Sequence, residues 1–464
     1  MFILDNDHRL PLYQQLYNQI REHILSGKLA ADARLPSIRQ LAVELSTSRN
    51  TVEGAYQELY AEGYIYSKPS SGYFVSALDQ ETAPLSLVHK PRKPSPLSAP
   101  LPLYDYDFHP ARLAPESFPA PLWRKLFSES LRENSRQLLQ YGAPQGEWEL
   151  RRIIQHYLER ARGVVCDPEQ IVICAGLQHS LDIIALLLKG SHPVVAVENP
   201  GYHLPRSVFR NHGFDVVAVP VGPDGLDLEA LNASAATLAY VTPSHQMPMG
   251  CVMPVANRLK LIEWAESSGK LIIEDDYDSE LRYHGKPIPS LQGLRPQGNI
   301  LYLGTFSKVL SPALRLSYLV LPDSLLAAYR RLFQDYCPSV SLLEQRTLAK
   351  FMEQGHWDRH VRRMRAIYKK KHDTLLRAVE HHFGTRAEVV GQGAGLHVVL
   401  QLPTTSPGEA EIIERARKQG IGLFPFSATC ASGEPAATRL LLGFGGMSAS
   451  EIEQGIALLA PLCF

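Results

Sequence analysis

Apolar residues recur at helical spacing in three sets near the start of the chain. The sets are Leu12–Ile24, Ile38–Leu45 and Val52–Leu59, where apolar positions return after roughly every helical turn. Two short aromatic runs follow, Tyr64–Tyr66 and Tyr73–Val75, with a glycine between them. This pattern predicts three helices followed by a two-stranded wing with a tight turn.

The pattern changes after residue 104, where uninterrupted apolar runs alternate with longer helical stretches. Because these runs do not alternate with polar residues, they indicate strands buried on both faces of a mainly parallel sheet covered by helices. The runs are Ile171–Cys174, Val194–Val197, Leu238–Val241, Leu271–Ile273 and Ile300–Leu303. A long charged helical stretch from about Leu343 to His381 follows, with strand candidates near Val398 and Leu440, which predicts a smaller α+β lobe.

Residues 79–103 combine several prolines with serines, a composition that favours extended conformations over packing. We therefore predict a helical unit over residues 1–78, a linker over 79–103 and a second domain over 104–464. The larger lobe of the second domain ends near residue 340, and its smaller lobe covers residues 341–464. A chain of 464 residues is long enough for several hydrophobic cores.

Composition limits the classes of partner. The chain carries 47 basic and 47 acidic residues, so no global charge points to nucleic acid or membrane, and any DNA contact must be local. Its six cysteines are scattered and form no C-x-x-C pair, which argues against a zinc site or disulfides and favours a reduced cytoplasm. No apolar run is long enough to span a bilayer. We expect a cytoplasmic protein without metal or membrane segment.

Polar residues at the helix starts suggest a DNA-binding role for the first unit. Ser37 can cap the second helix, and either Ser46 or Ser48 the third. The third helix turns Arg49 and Asn50 outward near its start, where a recognition helix places its base-reading residues. A small helical oligomerisation module is the alternative interpretation for such a trio of helices.

The placement of basic residues favours DNA binding, because Arg34, Arg39, Arg49 and Lys68 fall on the edges that a winged helix presents to phosphates. The segments 35–42, 48–52 and 72–75 also resemble the GntR-type winged helix. That resemblance implies DNA contacts by Arg39, by the start of the third helix and by the wing glycine. The predicted DNA-binding residues are Arg34, Ser37, Arg39, Ser48, Arg49, Asn50, Thr51, Lys68 and Gly72.

Lys308 is the central candidate for chemistry in the second domain. It follows the Ile300–Leu303 strand, is flanked by the hydroxyls of Thr305 and Ser307, and is followed by Arg315. Pyridoxal phosphate needs an amine for a Schiff base, and its phosphate needs hydroxyls and a guanidinium. We predict that Lys308 forms this Schiff base, and that burial beside cations lowers the pKa of its amine.

A carboxylate that can pair with the pyridine nitrogen lies at the end of the Leu271–Ile273 strand. Open α/β sheets bind ligands beyond the carboxyl ends of their strands, and a buried aspartate there requires a cationic partner such as a pyridinium. Asp275 is the preferred candidate, because Tyr277 then points to the same side and can reach the ring hydroxyl. Asp276 is the alternative.

Two further segments can contribute to the same pocket. Gly176, Leu177 and Gln178 follow a strand and open a helix, so their backbone amides and the helix dipole can hold a phosphate. Arg206 lies four residues after Tyr202 and can face the same pocket from one helical turn away.

The order of these segments, from about Asp107 to the C-terminus, is similar to that of fold-type I aminotransferases. The resemblance implies that Tyr202 stacks on the pyridine ring and that Arg439 takes the carboxylate of an amino acid. A surface ion pair is the alternative role for Arg439. A winged helix, a linker and such a domain in one chain, together with the segment Thr242–Gln246, resemble the MocR family of transcriptional regulators. That family implies a homodimer with cofactor sites at the subunit interface, with or without a domain swap.

Some positions depart from the aminotransferase pattern. Met247 stands where aminotransferases carry an asparagine for the ring hydroxyl, and its thioether cannot donate a hydrogen bond. Met249 replaces a small hydroxyl residue, and Ala313 and Ser317 replace glycines. These changes leave cofactor binding in place and weaken the case for transamination.

Three hypotheses follow for the function of the whole chain. The first is a regulator that binds double-stranded operator DNA and senses an amino acid or amine, which displaces Lys308 from the cofactor as an external aldimine. The second is an active aminotransferase with an accessory DNA-binding domain. The third is a regulator that senses pyridoxal phosphate itself.

Overall fold

The computed structural model describes residues 2–5, 10–69, 71–77, 103–133, 135–283, 289–431 and 437–464. The chain divides into two compact units, Met1–Leu101 and Pro102–Phe464. The predicted linker over residues 79–103 lies outside the described residues, apart from Leu103.

The first unit consists of three helices and a two-stranded antiparallel sheet around one apolar core. Its elements are α1 (Leu12–Leu25), α2 (Ile38–Glu44), α3 (Arg49–Ala61), β1 (Ile65–Lys68) and β2 (Gly72–Val75). The side chain of Ser37 accepts a hydrogen bond from the Gln40 amide, and that of Ser48 from the Thr51 amide, so each caps its helix. Ser48, and not Ser46, therefore begins the third helix. The predicted three helices and wing are confirmed.

The larger lobe of the second unit alternates strands and helices. Its elements in chain order are β3 (Tyr106–Asp107), α4 (Ala120–Arg132), α5 (Trp148–Arg162), β4 (Ile171–Cys174), α6 (Leu177–Leu188), β5 (Val194–Asn199), α7 (His203–Asn211), β6 (Asp215–Gly222), β7 (Gly225–Leu226), α8 (Leu228–Ala233), β8 (Leu238–Val241), α9 (Val255–Glu266), β9 (Leu271–Asp276), α10 (Leu291–Leu294), β10 (Ile300–Thr305), β11 (Ser317–Val320) and α11 (Asp323–Phe333). Every apolar run predicted as a strand forms one.

Eight of these strands form one sheet in the order β4-β11-β10-β9-β8-β5-β6-β7. Strands β10, β9, β8, β5 and β6 run parallel to one another, whereas β11 is antiparallel to both β4 and β10. Asp275 pairs with Leu303 across β9 and β10. Because these two strands are parallel and adjacent, the residues that follow them meet at the same edge of the sheet.

The smaller lobe packs helices against a four-stranded antiparallel sheet in the order β12-β13-β16-β15. Its elements are α12 (Leu342–Glu353), α13 (His356–Phe383), β12 (Glu388–Val390), β13 (His397–Gln401), α14 (Glu409–Lys418), β14 (Ile421–Gly422), β15 (Phe424–Pro425), β16 (Arg439–Gly443) and α15 (Ala449–Leu459). The predicted helical stretch from about Leu343 to His381 is present but consists of two helices, because the first ends at Glu353 and a new one begins at His356. Gly355, at φ +71°, separates the two helices.

Candidate functional site

The two adjacent aspartates at the end of β9 have different partners. Asp276 accepts hydrogen bonds from the Arg162 guanidinium (Nε to Oδ2, 2.5 Å) and from the Tyr302 hydroxyl (2.6 Å). Asp275 accepts one from the Tyr240 hydroxyl, and burial raises its pKa to about 7. A buried carboxylate without a cationic partner in the described part of the protein is the group that a pyridinium would pair with. The geometry therefore favours Asp275 over Asp276.

Lys308 lies at the same edge of the sheet. Its Nζ donates a hydrogen bond to the Pro110 carbonyl (3.3 Å) and lies 5.9 Å from the centre of the Tyr277 ring. Burial lowers the pKa of the amine, while the carboxylates of Asp278 and Asp275 raise it. The lowered pKa agrees with the prediction, but the expected neighbouring cations were wrong: the charges acting on this amine are carboxylates.

The start of α6 and the residues around Lys308 form a cradle suited to an anion. Gly176 precedes α6 at φ +85°, and a methyl group added to it would overlap the Arg315 guanidinium. Arg315 donates to the Ala175 carbonyl (Nη2 to O, 3.3 Å). The Thr305 hydroxyl donates to that of Ser307 (3.0 Å) and accepts from the Ser307 amide (3.1 Å). A guanidinium beside a helix start is the donor set that a phosphate requires.

The other predicted residues of the α6 start have different environments. Leu177 is partly buried, Gln178 is exposed, and no side chain caps this first turn among the described residues. The amides at the start of α6 thus remain available to a ligand.

Tyr202, at the start of α7, lies close enough to both Asp275 and Arg315 to feel their charges. Burial raises the pKa of its hydroxyl, the Asp275 charge raises it further, and the Arg315 charge lowers it. The structure therefore brings Tyr202, Asp275 and Arg315 together, as an aromatic ring stacked on the cofactor would require.

Arg206 and Arg439 both face the segment around Cys430. Arg206 donates to the Ala428 carbonyl (Nη2 to O, 3.3 Å), and Arg439 donates to Gln401 (Nε to Oε1, 3.1 Å). Burial raises the pKa of the Cys430 thiol, and the charges of both guanidinium groups lower it. The hydrogen-bond partner of Arg439 among the described residues is a neutral amide, which leaves its charge for an anionic ligand.

Three buried polar residues near Lys308 were missing from the predicted site. They are His245, Asp278 and His397, all less than 4 % exposed. His245 Nδ1 lies 2.8 Å from Asp278 Oδ2 and 3.0 Å from the Tyr277 hydroxyl. Asp278 lies close to Asp275 in sequence, but nothing local indicates that His397 joins this group.

The predicted DNA-binding residues lie on the surface of the first unit. Arg34, Arg39, Arg49, Asn50 and Lys68 are all exposed. Gly72 is also exposed at the start of β2. The start of α3 thus offers polar groups to a partner, as a recognition helix does.

The wing carries a further cation next to aromatic rings. The Lys68 ammonium lies 4.6 Å from the centre of the Phe74 ring and 5.4 Å from that of Tyr66. Phe74 also forms an antiparallel bridge with Arg34, so the two basic residues lie close to the same strand of the wing.

Two sequence families match the two units. Residues 12–75 match "Bacterial regulatory proteins, gntR family", and residues 112–459 match "Aminotransferase class I and II". The "Probable rhizopine catabolism regulatory protein MocR" of Rhizobium meliloti is 34 % identical, over 98 % of this chain and 94 % of its own length. The chain belongs to the MocR family of transcriptional regulators.

Other relatives agree with this assignment. The "Uncharacterized HTH-type transcriptional regulator YdeL" of Bacillus subtilis (strain 168) is 39 % identical over 96 % of both chains. Among solved structures, Pyrococcus horikoshii kynurenine aminotransferase is 26 % identical with a TM-score of 0.70, over 77 % of this chain and 90 % of that one. This MocR-family chain is therefore a DNA-binding transcriptional regulator whose second unit has the fold of aminotransferases that use pyridoxal phosphate.

Metal clusters and membrane spans are both absent from the described ranges. No group of three or more His, Cys, Asp or Glu side chains there is placed to hold a metal ion. No helix in this part of the chain is long and apolar enough to cross a membrane.

Proposed function

We propose that the second unit binds pyridoxal phosphate through Lys308 and uses it to detect a primary amine, such as an amino acid. The observation that carries the proposal is the convergence of three groups at one sheet edge: the Lys308 amine, the Asp275 carboxylate and the Gly176–Arg315 cradle. The cofactor supplies an aldehyde that bonds reversibly to primary amines.

Each residue has a distinct part in holding the cofactor. Asp275 pairs with the ring nitrogen, and the start of α6 with Arg315 holds the phosphate. Tyr202 packs on the ring face, and Tyr277 donates to the ring hydroxyl. Thr305 and Ser307 add hydroxyls beside the phosphate, with Leu177 and Gln178 contributing backbone amides.

The effector takes the place of Lys308. An effector with a carboxylate is held by the Arg439 guanidinium, with Arg206 as a second cation near the same segment. Release of the Lys308 amine and closure of the smaller lobe then favour one of two arrangements of the regulator. The effector shifts the DNA-bound population only by the difference between its affinities for those arrangements.

DNA recognition is assigned to the first unit. Arg49 and Asn50 at the start of α3 contact bases, and Ser48 and Thr51 contact the backbone beside them. The residues that contact phosphates are Arg34, Ser37, Arg39, Lys68 and the wing amide at Gly72. The active species is a homodimer that presents two winged helices to one operator.

The test is a titration of the full-length protein, loaded with pyridoxal phosphate, with a panel of amino acids and amines. Visible absorbance reports the bond to Lys308, and the anisotropy of labelled upstream DNA reports operator binding. An effector changes both signals over the same concentration range. If no compound changes DNA affinity while pyridoxal phosphate alone does, the signal is the cofactor and the effector proposal is wrong.

An aminotransferase with an accessory DNA-binding domain is the second candidate. The complete set of Lys308, Asp275, Arg315 and Arg439 favours it, because the same groups serve transamination. Rapid conversion of an added keto acid to its amino acid, by the loaded protein supplied with a second amino acid as the amino-group donor, would support this candidate. A protein that binds amines but converts no keto acid is a sensor.

A further inference from the structure

A triangle of polar groups lies beside Lys308, and two of its members have no part in the site as proposed so far. Its corners are the Tyr277 hydroxyl, His245 Nδ1 and Asp278 Oδ2, with Nδ1 at 3.0 Å and 2.8 Å from the other two. The side chains of His245 and Asp278 are 1 % and 3 % exposed. Such burial means that each proton in the triangle has few possible acceptors.

The chemistry of the three groups determines where the protons lie. An ionised carboxylate only accepts hydrogen bonds, so the proton on the imidazole is at Nδ1 and points to Asp278. Nδ1 then has no lone pair with which to accept from Tyr277. The hydroxyl oxygen of Tyr277 can share the Nδ1 proton. Its own proton can point to the Asp278 carboxylate, with which the hydroxyl also interacts, or turn to the oxygen of a bound ligand.

The surroundings of Tyr277 show one useful direction for that proton. Its ring centre lies 5.9 Å from the Lys308 amine, whose pKa the Asp278 and Asp275 carboxylates also raise. Met247 gives no alternative donor, because it packs against the apolar cluster of Val399, Phe426 and Leu441.

We propose that His245 and Asp278 form a positioning pair that holds Tyr277 as a hydrogen-bond donor to the ring oxygen of the cofactor. The pair acts through Tyr277 and does not touch the reacting atoms. This inference rests on the proposed function, because it requires pyridoxal phosphate bound at Lys308.

Other charged groups surround the pair and do not replace it. The His397 ring centre lies 5.3 Å from that of His245, and its Nε2 donates to the Pro248 carbonyl (3.0 Å). Burial lowers the pKa of His397 well below its ordinary value, which favours the neutral form of this ring. His245 also lines a cavity of about 10 Å³, which adjoins Arg162, Arg258 and Arg282. Nε2 of His245 has no hydrogen-bond partner among the described residues.

The test is a pH titration of the visible absorbance of the full-length protein loaded with pyridoxal phosphate. The cofactor's ring oxygen shares a proton with the Lys308 nitrogen, and loss of this proton sets the midpoint of the titration. A hydrogen bond from Tyr277 makes the ring oxygen a weaker acceptor, so the proton is lost at lower pH. His245→Gln removes the Nδ1 donor, and the midpoint is expected to rise by about one pH unit, a tenfold change. His245→Asn is the matched control, because its amide nitrogen occupies the place of Nδ1 and keeps the midpoint near the wild-type value.

A double-mutant comparison separates positioning from a purely structural role. Tyr277→Phe alone is expected to raise the midpoint at least as far, and adding His245→Gln to it is expected to change nothing more. If His245→Gln raised the midpoint equally in the wild-type protein and in Tyr277→Phe, His245 would act by another route and the inference would be overturned. If His245→Gln does not fold, Asp278→Asn in the two backgrounds provides the same comparison.

The outcomes also separate this inference from the proposed function. A wild-type protein with no visible band that depends on Lys308 would overturn both. A normal band whose midpoint is unchanged in His245→Gln and in Asp278→Asn would overturn only the positioning role.

Discussion

Gly176→Ala tests the phosphate cradle most directly. Gly176 has φ +85° with ψ 170°, a conformation open essentially only to glycine, so alanine there costs about 1–3 kcal/mol in strain. Its methyl group would also overlap the Arg315 guanidinium, which must then move away. A charge-assisted hydrogen bond is worth about 1.5–3 kcal/mol. If the displaced Arg315 loses one such bond to the phosphate, the dissociation constant for pyridoxal phosphate rises roughly 10- to 160-fold.

The measurement is a titration of each cofactor-free variant with pyridoxal phosphate, followed by visible absorbance. Gly163→Ala is the matched control, because Gly163 also has a positive φ (+69°) but a methyl group there meets no atom within 4 Å. Both variants are expected to lose stability, and only Gly176→Ala to lose cofactor affinity. Equal affinities in the two variants would refute the assignment of the cradle to phosphate.

The other predictions concern the lysine, the carboxylate and the DNA contacts. Lys308→Ala should abolish the visible absorbance band of the loaded protein, and a band that persists would exclude Lys308 as the attachment point. Burial raises the pKa of Asp275 from 3.8 to about 7 in the folded protein. The contribution of protonated Asp275 to the free energy of unfolding is therefore complete below about pH 4 and is lost as the pH rises through 7. Asp275→Asn should therefore stabilise the cofactor-free protein by up to about 4 kcal/mol above pH 7 and hardly at pH 4, as thermal unfolding at the two pH values will show. In DNA binding at several salt concentrations, Arg49→Ala should relax base preference, whereas Arg39→Ala should weaken all sequences and reduce the salt slope by about one. If neither arginine variant alters binding, the assigned DNA surface is wrong.

The features that could be predicted from sequence are those carried by short stretches of chain. A continuous apolar run followed by Asp275, or by Thr305 and Lys308, marks the carboxyl end of a parallel strand, where a ligand site is expected. The serine caps of α2 and α3 are equally local. The preference for Asp275 over Asp276 is supported by contacts that the sequence does not show, because Asp276 pairs with Arg162 at the end of a helix far away in sequence.

Other features were missed for physical reasons. Strand β6 is an exception, because its run Val216–Val219 has the same residue order as Val194–Val197 in β5 and was predictable from the sequence. The break at Gly355 was overlooked because apolar residues continue at helical spacing on both sides of it. The contact between His245 and Tyr277 joins two separate loops, and no periodicity within either loop predicts such a pair.

The hydrogen bond from Lys308 to the Pro110 carbonyl ties the reactive amine to the beginning of the second unit. Pro110 follows strand β3 shortly after the chain leaves the predicted linker, and the neighbouring Phe108 carbonyl accepts from the Gly443 amide of the smaller lobe (2.8 Å). An amine that has given its protons up to a covalent partner has fewer to offer this carbonyl. If Lys308 bonds the cofactor as proposed, the backbone at Pro110 therefore loses a hydrogen bond whenever the lysine is engaged.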